Sequence, residues 1–220
     1  MSFVERRSYY FEYCGEVNTK KLLEVVRAHC LELGPKEVVI ASETGRSAVK
    51  ALEVFKGTGI EMVVVTHYPA QTWGPKGSIP IGLRREEYAD HLRKLQDNGV
   101  RVVQGTRPFA PPSRSLNWDS TLEGVMDKTL DLFGAGTKIA VEAAIMATDA
   151  GEIGEGEEVI SCAGTFKGLD TALLVKTAYS MSFFKEFEIK EIVAKPSCRV
   201  KRLPEHKYEK WKGDLDKYYR

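Results

Sequence analysis

Apolar positions recur along this chain with two periods, and the two alternate. A helical stripe comes first: Leu22, Leu23, Val26, Cys30 and Leu33 share one face of a segment that Asn18 or Thr19 caps and Gly34–Pro35 stops. A short apolar run at about 37–42 follows, then Ala48, Ala51, Leu52 and Phe55 at i, i+3, i+4 and i+7. Ile60–Thr66 is a second, almost unbroken run, as expected of a strand buried on both faces. Tyr88, Leu92 and Leu95 mark a helix around 84–98, and Val100–Gln104 reads as a third strand. Leu122, Val125, Met126, Leu130 and Phe133 predict a helix with that stripe facing inward, broken at 134–136. A strongly apolar helix then runs from about Lys138 to Ala150. Val159–Ala163 and Ala172–Ala178 are the fourth and fifth strands, and Phe187–Ala194 is either one more strand or a closing extended segment. Residues 1–17, with Tyr9, Tyr10, Phe11 and Tyr13, read as an edge segment or an arm.

Strands alternating with helices predict an α/β fold, a parallel sheet covered on both faces through right-handed crossovers. The fourth-to-fifth connection is too short for such a crossover, so the fifth strand is expected to run antiparallel. Loops that leave parallel strands lie on one rim, at the carboxyl ends. That rim collects 42–47, 67–83, 105–118 and 164–171, together with the helix starts at Asn18, Thr19 and Lys138. In open sheets of this kind, ligands bind on that rim where the strand order reverses. Long loops there are more often functional than decorative.

The stretch from Val38 to Ala48, Val-Val-Ile-Ala-Ser-Glu-Thr-Gly-Arg-Ser-Ala, is strand, tight loop and helix start in eleven residues. The first N–H groups of a helix lack intrahelical partners, and its dipole leaves partial positive charge at that end. Ser42, Thr44 and Ser47 add hydroxyls, Gly45 allows close backbone approach, and Arg46 adds a positive fork. This suits a phosphate, or else an ordinary helix cap with a loop glycine. It is not a Walker loop, since Gly-x-x-x-x-Gly-Lys is absent.

Composition narrows the classes without choosing among them. Over 220 residues the net charge is +1, which argues against bulk electrostatic binding of nucleic acid. Cys14, Cys30, Cys162 and Cys198 form no Cys-x-x-Cys pair, so neither a zinc site nor a disulfide scaffold is expected, and Cys162 reads as a small core residue. No signal-peptide pattern opens the chain and no apolar run approaches ~18 residues, so a cytoplasmic protein with no membrane contact is expected. The segment 199–220 holds eight Lys/Arg against four Asp/Glu, with Tyr208, Trp211, Tyr218 and Tyr219 interleaved. It reads as a basic tail packed on its own domain or on a neighbouring subunit of a homo-oligomer, rather than as an RNA contact. The expected division is therefore an α/β domain over 1–198 and a tail over 199–220.

The order of elements, the Ser42-Glu43-Thr44-Gly45-Arg46-Ser47-Ala48 loop and the segment Gly164-Thr165-Phe166-Lys167-Gly168-Leu169-Asp170-Thr171 resemble the C-terminal domain of pyruvate kinase. In that domain two such loops together hold a sugar bisphosphate in some members. The catalytic barrel is absent, so kinase chemistry is not implied. Thr165 stands where many pyruvate kinases have an aromatic residue, which weakens the sugar bisphosphate option. A closer resemblance is to the stand-alone, mostly archaeal proteins of that fold. It rests also on Asn18-Thr19, Val64-Val65-Thr66-His67, Val141-Glu142, Met146–Gly151 and Gly168–Ala172, and covers roughly 8–196. The chain departs from them at Tyr68, where relatives often have a second histidine, and in continuing past Pro196. The resemblance implies a three-layer αβα sandwich around a five-stranded sheet of order 3-2-1-4-5, the fifth strand antiparallel. It also implies a flavin mononucleotide (FMN) site, and it brings no established reaction.

The residues expected to hold this cofactor are Ser42, Glu43, Thr44, Gly45, Arg46, Ser47, Thr66, His67, Glu142, Gly164, Thr165, Lys167, Gly168, Asp170 and Thr171. His67, at a strand end, is either an acid–base or donor group or a hydrogen-bonded loop histidine. Glu142, in a helix of Ala, Val, Ile and Met, either accepts from ligand N–H groups or bonds a free helix N–H. Asp149, near the end of that helix, is expected to be structural. Tyr68, Trp73, Phe109 and Trp118 either stack on a planar ring or pack locally. No metal ligand set is expected, and whether the chain is an enzyme or a non-catalytic sensor of a phosphorylated metabolite is left open by the residues.

Overall fold

The structure, a computed structural model, describes residues 3–72, 79–110 and 120–198. Its strands are β1 (Tyr9–Phe11), β2 (Glu37–Ala41), β3 (Glu61–His67), β4 (Ala70–Thr72), β5 (Ile79–Ile81), β6 (Arg101–Gly105), β7 (Glu158–Ala163), β8 (Thr171–Lys176) and β9 (Glu188–Pro196). Its α-helices are α1 (Thr19–Leu33), α2 (Arg46–Phe55), α3 (Ala89–Gln96), α4 (Leu122–Asp131), α5 (Ala135–Asp149) and α6 (Phe183–Glu186).

Side chains of a strand point alternately to its two faces, and β2 shows the consequence. Val38 and Ile40 enter a core with Leu22, Val26, Ala51, Phe55 and Leu95 of α1–α3, while Val39 enters a second core with Ala140, Ala144 and Ala147 of α5. Helices cover both faces of the sheet, and each face has its own core. Steps from β2 to β3 and from β3 to β6 carry α2 and α3 on one face. The return to β7 carries α4 and α5 on the other, as right-handed crossovers require.

The sheet has seven strands in the order β1-β9-β8-β7-β2-β3-β6, so the expected five are corrected to seven. Strands β6, β3, β2, β7 and β8 lie side by side, with β8 antiparallel to β7. Beyond β8 the sheet continues through β9, antiparallel to it, and β1, parallel to β9. The segment at 187–194 is thus a strand, and three residues of the N-terminal arm close the edge. A short outermost strand leaves few unpaired backbone groups for a foreign chain to pair with. The expected loop at 67–83 contains the β4–β5 hairpin.

Helix α4 departs most from its sequence pattern. Leu122, Val125 and Phe133, expected inward, are 62%, 51% and 49% exposed. Gly124 and Asp127 face inward instead, with Met126 and Leu130 half-buried against the α5 core. The reason is electrostatic: Asp127 has two cationic partners inside, described below. Among the described residues no helix is long and apolar enough to cross a membrane. The 199–220 tail, Trp73 and Trp118 lie outside the described residues.

Candidate functional site

Parallel strands β2 and β3 deliver their last residues to the same rim. Strand order reverses beside β2: the chain passes from β2 outward to β3 and β6, then returns to β7 on the other side of β2. The loops that follow β2 and β7 flank this reversal, where open α/β sheets bind ligands.

The loop after β2 is fixed by its backbone. Ser42 N–H donates to Val65 O at 2.9 Å, Gly82 N–H to Glu43 O at 3.0 Å, and the His91 ring Nδ1 to Thr44 O at 2.7 Å. Gly45 caps α2 with φ +81°, and a Cβ there would lie 2.6 Å from Leu83 Cδ1 and 2.7 Å from His91 Cβ. Gly45→Ala is therefore expected to cost about 2–3 kcal/mol in denaturant unfolding, combining left-handed backbone strain with overpacking. No side chain caps the α2 N-terminus. Among the described residues the hydroxyls of Ser42, Thr44 and Ser47 have no protein hydrogen-bond partner. Arg46 Nη2 pairs with Glu16, 2.7 Å from its Oε1.

Four of the expected residues line one small cavity, of about 20 Å³, at the ends of β2 and β3: Glu43, Thr66, His67 and Glu142. Arg107, Met146, Ile139 and the apolar Ala41, Val65 and Ala143 complete its wall. Each of the four also has a structural bond. Glu43 Oε2 accepts the His67 N–H at 3.1 Å, and Thr66 Oγ1 accepts the Leu83 N–H at 3.0 Å. His67 Nδ1 lies 3.2 Å from Tyr68 O, and its ring centroid is 3.9 Å from that of Tyr68. A larger depression, of about 350 Å³, lies between Leu33–Glu37 and Glu157–Glu158, at the amino ends of β2 and β7 and far from these groups. It carries no convergent donor set, so the rim is the better candidate despite its smaller volume.

Glu142 is bonded within the protein, and neither of its partners is a free N–H of its own helix. It is 1% exposed in mid-α5, and it accepts from Arg107 Nε at 2.6 Å and from the Phe109 N–H at 3.0 Å. Arg107 Nη2 also donates to Asp127 at 2.7 Å, and Lys138 Nζ reaches the other oxygen of Asp127 at 2.9 Å. Burial pushes the Glu142 carboxyl above the usual carboxylate range, against Arg107 and the Phe109 N–H, which favour the ion. Burial also opposes the charge on Arg107, but Glu142 and Asp127 outweigh it and hold the guanidinium above its ordinary value. Sequence reasoning missed Arg107. The signal was a buried acid in an apolar helix, which needs a cation from some rim loop. Phe109, 4% exposed, packs into the α5 core.

The loop after β7 forms a knot with the N-terminal arm. Asp170, fully buried, accepts the Gly15 N–H at 2.7 Å, the Thr165 N–H at 3.1 Å and the Thr171 hydroxyl at 2.8 Å. Thr19 Oγ1 accepts the Leu169 N–H at 2.9 Å, and Lys167 N–H turns back to Thr165 O. Gly168, at φ +67°, passes so close that a Cβ would lie 2.5 Å from Glu16 Cα, and a Cβ on Gly164 would lie 2.2 Å from Gly168 O. Thus Gly164, Thr165, Gly168, Asp170 and Thr171 come together with Thr19, which the sequence placed on this rim, and with Gly15 and Glu16, which it did not single out. None of them lines the cavity. Asp149 accepts from the Ser180 N–H at 2.9 Å, the structural role expected of it. Cys162 is fully buried in the core, and burial holds its thiol well above its ordinary value, which keeps it inert. Among the described residues no group of three or more His, Cys, Asp or Glu side chains is placed to hold a metal.

No family model matches the chain.

Proposed function

We propose that this is a cytoplasmic protein of the pyruvate kinase C-terminal-domain type that binds FMN at the carboxyl rim. The cofactor phosphate lies at 42–47 and the ring toward His67. One observation carries the reading: the α2 N-terminus has no side-chain cap, while Ser42, Thr44 and Ser47 beside it have no protein partner for their hydroxyls among the described residues. Hydroxyls and helix-start N–H groups left without a protein acceptor suit an anion. Its position beside the strand-order reversal adds support; the flavin itself rests on the resemblance alone.

In calorimetric titration FMN is expected to bind more tightly than riboflavin. Ser47→Ala and Thr44→Val should each weaken FMN about tenfold, the equivalent of one hydrogen bond to a charged group, with riboflavin unchanged. Equal losses for both ligands, or a lower melting temperature with unchanged affinity, would make this loop an ordinary cap.

A second reading is a non-catalytic sensor of a small phosphorylated metabolite such as a sugar bisphosphate, which would use the same 42–47 loop and needs no surface for a planar ring. At about 20 Å³ the rim cavity holds no more than a water-sized group, so either ligand would lie over it rather than in it. Mass spectrometry of small molecules released on denaturing the purified protein separates the two readings. If a flavin is bound, absorption in the blue accompanies it and the flavin carries the electron chemistry.

A further inference from the structure

The reversal between β2 and β7 is not open. The chain turn at 15–18 lies between the 42–47 and 164–171 loops, with Gly168 packed against Glu16. Glu16 Oε1 lies 2.7 Å from Arg46 Nη2 and 3.3 Å from Lys50 Nζ. The Glu16 side chain is only 18% exposed. Two cations, one turn apart on α2, thus converge on a single carboxylate oxygen. This is the arrangement of an anion site, occupied by the protein's own carboxylate.

We infer that Glu16 is an internal stand-in for the ligand phosphate, displaced when the ligand binds, and that Lys50 belongs to the site together with Arg46. The inference rests on the reading of 42–47 as a phosphate loop. A phosphate brings about two negative charges and several acceptor oxygens, where Glu16 engages both cations through one oxygen. Partly exposed ion pairs are worth little, so giving up the Glu16 pairs costs less than a phosphate gains. An uncharged ligand gains nothing from these cations and leaves Glu16 in place. Glu16 therefore acts as a threshold on phosphorylated ligands alone: it lowers their affinity by the cost of displacing it and leaves their dephosphorylated forms unaffected.

The test is titration of the full chain and of Glu16→Gln with FMN, riboflavin and inorganic phosphate, beside Glu53→Gln as a charge control. Glu53 lies on the same helix but pairs with Lys94, at 3.0 Å. Glu16→Gln should tighten FMN and phosphate at least about fivefold and leave riboflavin unchanged, while Glu53→Gln changes none of them. Lys50→Gln should weaken FMN about fivefold, by a factor that shrinks as salt rises. FMN bound equally by wild type and Glu16→Gln would overturn the inference and leave the phosphate loop standing. Equal gains from Glu16→Gln and Glu53→Gln would overturn it in favour of a general charge effect. Neither FMN nor phosphate bound by any of the proteins would remove the phosphate loop itself, and the inference with it.

Discussion

Arg107→Met is expected to lower the stability of the folded chain by about 3–5 kcal/mol, the usual cost of removing one partner from a buried ion pair. Among the described residues Arg107 pairs with both Glu142 and Asp127, whose side chains are 1% and 4% exposed. Without it, among the described residues, Glu142 keeps the Phe109 N–H and Asp127 keeps Lys138. Glu142 is already pushed upward by burial, and it would rise further on losing the guanidinium. A carboxyl whose folded value lies above its unfolded one contributes stability at low pH that is lost as pH rises through the folded value. The deficit of the variant should therefore be largest near neutrality and narrow on acidification, as Glu142 takes up a proton. Urea unfolding at several pH values reads this directly. Adding Glu142→Gln to Arg107→Met should recover part of the loss, since a neutral amide can still accept the Phe109 N–H. A deficit that is flat with pH and not reduced by the second change would mean that Arg107 serves only by packing.

The same network explains where the sequence was legible and where it was not. Periodicity found the strands because β2, β3 and β7 are buried on both faces and have little polar surface to confuse the pattern. It misjudged the facing of α4 because apolar stripes were weighed and charges were not. The Asp127 side chain, 4% exposed between Arg107 and Lys138, overrides Leu122 and Val125 in deciding which face goes inward. Long-range pairing also escaped a local reading. The β1 edge depends on Tyr9–Phe11 finding Ala194–Pro196, a contact no window along the chain contains. At the rim, loop positions followed from topology, which placed Glu43 and His67 together, while Thr66 and Glu142 joined them through the resemblance. Which atoms were already engaged could not be read that way. Glu142, Asp170 and Arg46 all carry the chemistry of ligand contacts, and each is bonded within the protein.

Asp170→Ala should cost about 3–5 kcal/mol, while Asp170→Asn should cost far less, a contrast that separates the need for an acceptor from the need for a charge. The carboxylate joins three pieces of chain: the Gly15 N–H of the arm, the Thr165 N–H of its own loop and the Thr171 hydroxyl that starts β8. Alanine leaves two backbone donors buried with no acceptor, at roughly 1–3 kcal/mol each, with some relief if water enters. Asparagine keeps an oxygen toward Gly15 and Thr165 and offers its amide to the Thr171 oxygen, which can accept as well as donate. Burial lifts the Asp170 carboxyl above its ordinary value, although Gly15, Thr171 and Thr165 all favour the ion. The sign follows: at neutral pH the buried charge works against the fold, and this part of the stability grows as pH falls through the folded value. The wild-type chain should accordingly gain stability relative to Asp170→Asn on mild acidification, because only the aspartate can shed its charge. Thermal or urea unfolding of the three proteins from neutral to acidic pH decides it. If Asp170→Asn is as damaging as Asp170→Ala at every pH, then the charge itself holds the 164–171 loop against the arm. Its nearest source of compensation would then be the start of α5, where Gly136 packs so closely that a Cβ would lie 2.9 Å from the Asp170 carboxylate.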